Sequence, residues 1–277
     1  MKKQKYLLFL PAMLVAGALL FQACEKDEGS TTSENTEVIQ DDALSSEMFD
    51  DAFNETDQAL QNYFGGQKSM EKNRCRTLTW QLIDPETRIF TINFGDGSCN
   101  DSLGRAKRGK IIITTTGTYR NQGFTRTITF EDYFINDYQV EGTKTVVNQG
   151  TNDSGQVIFD VTLEGGKVTT PGGKEITKSY ERTRTWSKGA DTKWWIWDDE
   201  YLISGTATGT NRKGVNYTRT ITTPLHIATT CRFIKSGSIE FNRENEELIV
   251  VDYGNGECDA LATITVGDGS KEIKLRK

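Results

Sequence analysis

The sequence predicts a mainly β protein: an antiparallel meander sheet of many strands, with two disulfide-closed hairpins and one N-terminal amphipathic helix. Three observations lead to this class. Glycine outnumbers proline, 26 to 4, and Thr and other β-branched residues are dense after position 76, a composition that favours strands and tight turns. Polar, Gly-containing turn signals recur at short intervals, as at 152–155, 164–166, 171–173 and 187–189, so neighbours in sequence should be neighbours in the sheet. Finally, one pair of strands bracketed by cysteines occurs twice, from Cys75 through a turn at Asp84-Pro85-Glu86-Thr87 to Cys99, and from Cys231 through a turn near Asn242 to Cys258. Both copies end in aromatic-Gly-Asp/Asn-Gly-x-Cys.

Taken in order, the chain opens with Lys2, Lys3 and Lys5 and an apolar run from Tyr6 to Phe21, the layout of a signal peptide over 1–23 and short for a membrane span. The run ends at Leu20-Phe21-Gln22-Ala23-Cys24, which resembles the lipobox of bacterial lipoproteins. That resemblance implies a diacylglyceryl group on Cys24 and a membrane anchor. Glu25-Lys26-Asp27-Glu28 resembles the export signal of Bacteroidota surface lipoproteins, which implies the outer face of the outer membrane. Residues 24–41 read as an acidic flexible tether, Ser- and Thr-rich from Gly29 to Asn35. Charge is uneven: Glu25 to Asp57 carries twelve acids and one Lys, whereas the chain from Gln58 onward carries 27 acids and 29 bases.

Residues 42–66 read as the helix, with Leu44, Met48, Phe49, Ala52, Phe53, Leu60 and Phe64 near helical spacing, Asp41 or Asp42 as cap and Gly65-Gly66 as stop. Its apolar stripe is expected to cover one face of the β body. Residues 67–277 form that body, with strands expected over 132–148, 156–163, 167–170, 176–186 and 193–208. A second echo, Thr116-Gly117-Thr118-Tyr119-Arg120 before 124–129 and Thr208-Gly209-Thr210-Asn211-Arg212 before 217–222, reads as two further hairpins and suggests two related halves.

Of the five cysteines, Cys24 is the lipid site, and the other four permit three pairings. The repeat selects Cys75 with Cys99 and Cys231 with Cys258, each closing the open end of a hairpin in an exported compartment that permits disulfides. No CxxC spacing exists and His226 is the only histidine, so neither a metal nor a cofactor is expected.

Tyr133-Phe134-Ile135-Asn136, Glu181-Arg182-Thr183-Arg184-Thr185-Trp186 and Gly254-Asn255-Gly256-Glu257-Cys258 look like a group of Bacteroidota surface lipoproteins, over roughly residues 40 to 275. The resemblance implies a β-rich body and a surface location, with no activity to carry over. Asp101-Ser102-Leu103 resembles the O-glycosylation sequon of the same bacteria, which marks Ser102, while a polar turn explains the same residues.

Candidate binding residues lie at Lys193-Trp194-Trp195-Ile196-Trp197-Asp198-Asp199-Glu200. In a strand, Trp195 and Trp197 share one face, and Trp194 takes the other. With Asp198 and Asp199 beside them they form either a glycan-stacking platform or a core strand running into an acidic turn. A glycosidase would need two carboxylates flanking a cleft, with Asp198, Asp199, Glu200 and Glu181 as candidates. No Gly-x-Ser-x-Gly elbow, P-loop, dinucleotide fingerprint or basic stripe occurs, which argues against a serine hydrolase, a nucleotide enzyme and a nucleic-acid binder. His226 is read as structural. The expected function is that of a non-catalytic lipoprotein displaying a β surface for protein binding or envelope assembly. A glycan-binding module is the alternative, and a glycoside hydrolase the second.

Overall fold

The computed structural model describes residues 28–65, 75–97, 99–101, 104–192 and 197–275. The signal peptide, Cys24, Ser102, Trp194 and Trp195 lie outside the described residues. One helix, α1 (Glu28–Phe64), precedes β1 (Thr77–Leu82), β2 (Thr87–Asn93), a two-residue β3 (Cys99–Asn100), β4 (Ala106–Thr116), β5 (Thr125–Ile135), β6 (Tyr138–Thr151) and β7 (Val157–Thr169). There follow β8 (Glu175–Lys188), β9 (Glu200–Thr210), β10 (Asn216–Ala228), β11 (Ser236–Asn242), β12 (Ile249–Asn255), β13 (Leu261–Val266) and β14 (Gly269–Lys274).

All the strands belong to one antiparallel sheet, in chain order from β1 to β14, with β3 off the path beside β4. The meander is therefore as the turn spacing predicts. Both disulfides form as the repeat selects them, Cys75–Cys99 with Cα atoms 5.1 Å apart and Cys231–Cys258 at 5.7 Å. They close the β1–β2 and β11–β12 hairpins at their open ends.

Three boundaries differ from expectation. Asn136 and Asp137, with φ of 48° and 66°, make a two-residue turn of the kind that follows strand twist, so the segment 132–148 is the end of β5 and most of β6. Glu164-Gly165-Gly166 is a bulge inside β7 facing Gly142 of β6, where a Cβ would come 2.8 Å from the Gly166 Cα. Glycine serves a bulge and a turn for the same reason, its freedom at positive φ, so composition does not separate the two. The strand expected from 193 begins at Glu200, and Trp197-Asp198 sits in a turn.

The helix also starts earlier than expected, at Glu28, so most of the stretch read as a flexible tether is helical. Its apolar stripe does cover the sheet. Met48, Phe49, Ala52, Phe53, Ala59 and Leu60 pack into a core with Phe90, Ile92, Ile111, Ile113 and Tyr133, while Val38 lies in a second cluster with Tyr217, Ile221, Phe241 and Ile249. Burying each large side chain of this kind contributes about 1.5–3 kcal/mol.

Asp41 and Asp42 are not caps but buried mid-helix carboxylates, because cations rise from the sheet to meet them. Asp41 accepts from the Arg212 backbone N–H at 2.9 Å and from its guanidinium, and Asp42 lies 2.6 Å from Lys178 Nζ. Further along the helix, Asp51 and Glu55 hold Lys107 at 2.7 and 2.9 Å, Asp50 faces Lys144 at 3.5 Å, and Asp57 binds Arg126. Lys107, Arg126, Lys144, Lys178 and Arg219 are all buried. The acid-rich arm is thus the electrostatic complement of a cationic sheet face. Buried pairs add little net stability against apolar residues, but removing one partner strands the other, so they fix where the helix docks.

Candidate functional site

An aromatic concavity lies where α1 ends. There the β4–β5 turn, β7 and β8 enclose a cleft of about 680 Å³ lined by Phe64, Tyr119, Arg120, Asn148, Phe159 and Trp186, with Glu86, Arg88 and Ala190 at its rim. A smaller chamber of about 80 Å³ shares several of these walls and reaches Phe53, Asp57 and Asp199.

Each wall has a local cause. Gly117 and Gly123, at φ of 88° and 83°, turn the chain between β4 and β5, and Arg120 takes φ 67° in the same turn. The turn is pinned from β6, where Asn148 Nδ2 donates to the Arg120 carbonyl at 3.1 Å and its backbone N–H donates to Phe124 O at 2.9 Å. Tyr119 then stacks on Phe64 with centroids 4.5 Å apart and planes 8° from parallel. The Arg120 guanidinium lies 5.4 Å from the Trp186 ring and 5.8 Å from Tyr119. Trp186 stacks on Tyr201 at 5.7 Å and is tilted against Phe159 at 6.5 Å.

Asp199 braces this wall from below. Trp186 Nε1 donates to its Oδ1 at 3.2 Å, and the Tyr201 hydroxyl donates to Oδ2 at 3.0 Å. Burial raises the Asp199 carboxyl above its ordinary value, and the Tyr201 and Trp186 donors act against that shift. The Arg184 guanidinium covers the other side of Tyr201 at 3.6 Å.

The candidate residues of the tryptophan segment are accordingly divided. Trp197 is exposed, and Asp198, also exposed, accepts from Thr192 Oγ1 at 2.9 Å. Asp199 is only 4% exposed, so it cannot meet a surface ligand as a platform carboxylate would. Glu200 is held by Lys188 at 2.9 Å and His226 at 2.7 Å, and the Lys188 hydrogen bond leads in lowering its carboxyl pKa. His226 therefore ends a row of polar contacts, Lys188–Glu200–His226, that crosses β8, β9 and β10. Among the described residues, no group of three or more His, Cys, Asp or Glu side chains is placed to hold a metal.

Sequence reasoning placed Tyr119 and Arg120 in a turn, and Phe159 and Trp186 in strands, without bringing them together. Their signal was weak, since they are separate in the chain and each resembles an ordinary core or turn residue. What the cleft offers chemically is ring faces, a guanidinium and amide groups, the equipment for holding a ring that has both apolar faces and polar edges. No protein-family model, no curated protein and no solved structure matches the chain.

Proposed function

We propose that this is a lipid-anchored, non-catalytic binding protein displayed on the outer membrane, and that the cleft beside Tyr119 and Trp186 takes a sugar unit of a glycan. The observation that carries the reading is the cleft itself, about 680 Å³ walled by aromatic rings with Arg120 among them. That volume accommodates a ligand the size of one or two sugars. The lipobox-like Leu20-Phe21-Gln22-Ala23-Cys24 supports the anchor and Glu25-Lys26-Asp27-Glu28 the surface location. In this reading the sugar sits in the cleft, and the exposed Trp197 of the tryptophan segment remains a second candidate contact.

Binding without hydrolysis is favoured by the placement of the carboxylates, since Glu86 is the one acid lining the cleft and the two that line the adjoining chamber are engaged. Asp57 is bound to Arg126, and Asp199 is tied to Trp186 and Tyr201. Neither is set up to protonate a leaving oxygen while the other activates water.

A glycan array and calorimetry on the parent, Tyr119→Ala and Arg120→Ala test the reading. An array hit should weaken by about tenfold in Tyr119→Ala, the loss of one ring contact. A blank array for all three proteins sinks the glycan assignment. Labelling cells with an alkyne fatty acid checks the anchor, since the parent should carry label and Cys24→Ala should not.

One observation favours a protein partner as a second reading. Trp80, Leu82 and Ile83 are exposed at 53%, 55% and 54% on and just beyond β1, an edge strand that pairs only with β2 among the described strands. Cross-linking in cells should attach a partner at position 80 or 82 and not at an exposed position far from β1 such as Thr208 on β9; equal yields at both would argue against it.

A further inference from the structure

Between α1 and strands β8 to β10 the sheet buries more positive charge than the helix answers. Lys178, Arg182 and Arg219 all act on one carboxylate, Asp42. Lys178 Nζ is 2.6 Å from its Oδ1, and Arg219 Nη1 is 3.4 Å from Oδ2. The Tyr217 hydroxyl also donates to Oδ1 at 3.0 Å. Asp50, further along the helix, lies 3.5 Å from Lys144 and also acts on Arg182. Four cations, Lys144, Lys178, Arg182 and Arg219, therefore share two anions.

The lysine is fully used, for it also donates to the Asp42 carbonyl at 3.1 Å and to Ser46 Oγ at 2.5 Å. The guanidinium groups are not. Arg182 Nη2, Arg219 Nε and the Tyr180 hydroxyl are shut off from solvent and have no hydrogen-bond partner. Arg219 and Tyr180 are 5% and 4% exposed. Strand register gathers the three donors. Tyr180 pairs with Ala207 and Ala207 with Arg219, forming one row across the sheet, and Arg182 occupies the next row of β8 with its guanidinium 3.9 Å over the Tyr180 ring. Between the arginines, β9 offers Gly205 and Ala207 to this face, so its side-chain contribution there is no larger than a methyl group.

A buried donor without an acceptor costs about 1–3 kcal/mol, and more when it carries charge. Like charges at low dielectric add to that cost. Burial first, and then Arg219, depress the Arg182 guanidinium. A single small anion within reach of all three donors would answer them at once.

We propose that Arg182, Arg219 and Tyr180 form a buried binding site for a monatomic anion of the chloride class. The site ties the helix to β8 and β10 by supplying the counter-charge that Asp42 and Asp50 leave unmet.

Thermal unfolding at constant ionic strength tests this, with sodium gluconate replaced stepwise by sodium chloride or bromide. Screening of exposed ion pairs is then the same throughout, and gluconate is too large to enter. The midpoint should rise in proportion to the logarithm of halide concentration above Kd, by about 5 °C or more at a hundredfold excess. Tyr180→Phe removes only an unmet hydroxyl, so it should leave the gluconate midpoint unchanged or higher while reducing the chloride rise. Arg182→Gln should weaken the apparent chloride affinity tenfold or more. If Arg182→Gln fails to fold, bromide anomalous diffraction on the parent decides, with a peak expected within hydrogen-bonding reach of both Arg182 and Arg219. Coincident chloride and gluconate curves, or a site that holds only an ordered water, overturn the proposal.

Discussion

Replacing Asp42 by Asn keeps the shape of the side chain and removes the one carboxylate that Lys178, Arg219 and Tyr217 share. The magnitude follows from what is left behind. Lys178 sits at a pKa of about 7, pulled down by burial and held up by Asp42, so on losing its partner it sheds its proton. Arg219 and Arg182 cannot do so and remain charged. Breaking a buried pair by removing one partner typically costs about 3–5 kcal/mol. At a urea dependence of about 2 kcal/mol per molar, the unfolding midpoint should fall by about 1.5–2.5 M. Adding Lys178→Met to Asp42→Asn should recover part of the loss, since one stranded donor is replaced by an apolar chain of similar length. Urea unfolding of the parent, both single variants and the double variant, followed by tryptophan fluorescence, gives the coupling. A cost below about 1 kcal/mol for Asp42→Asn, or a double variant no better than additive, would refute the view that this contact positions the helix.

Other predictions rest on separate features. The folded-state pKa of Lys178, about 7, lies below its unfolded value of 10.5, so the unfolded chain binds the extra proton between those values and stability gains from this group as pH rises from 7 to 10. Measured as the difference between parent and Lys178→Met, that gain should appear; a flat difference would remove it. Asp42 is lowered by Lys178 and then Arg219 against the opposing and larger effect of burial, so its stabilisation is present above about pH 4 and is lost as pH falls through its folded value. Acid titration of the parent against Asp42→Asn should show the two curves converging below pH 4. Reducing either disulfide frees a closure of 24 or 27 residues and should cost about 3 kcal/mol, and a non-reducing peptide map should recover only Cys75–Cys99 and Cys231–Cys258. Gly109→Ala puts a Cβ 1.9 Å from the Asp132 carbonyl oxygen at a φ of 82°, and a loss of about 2 kcal/mol or more is expected on chemical denaturation.

The site was less legible than the fold, and particular residues show why. Trp194, Trp195 and Trp197 stand out because three tryptophans in four residues are rare, yet the aromatic cleft is walled by Tyr119, Phe159 and Trp186, which are remote in sequence. Asp199 looked like a surface carboxylate among acids. In the fold it is the floor of that wall, because the chain turns at Trp197-Asp198 and carries it under Trp186.

The class of the molecule is legible in short stretches of the sequence. Density of β-branched residues, Gly-rich turns and the Cys-bracketed repeat are local signals, which is why the meander and both disulfides could be read directly. The sequence also held the charge asymmetry of residues 25–57, but there a solvated tether and a docked helix have the same composition. Packing of the helix on the sheet separates the two. Lys107, Arg126, Lys144, Lys178 and Arg219 come from separate strands, and they make one cationic face only after strand register has aligned them. A buried charge is stable only beside its partner, and that pairing is a long-range fact that no short stretch of chain contains.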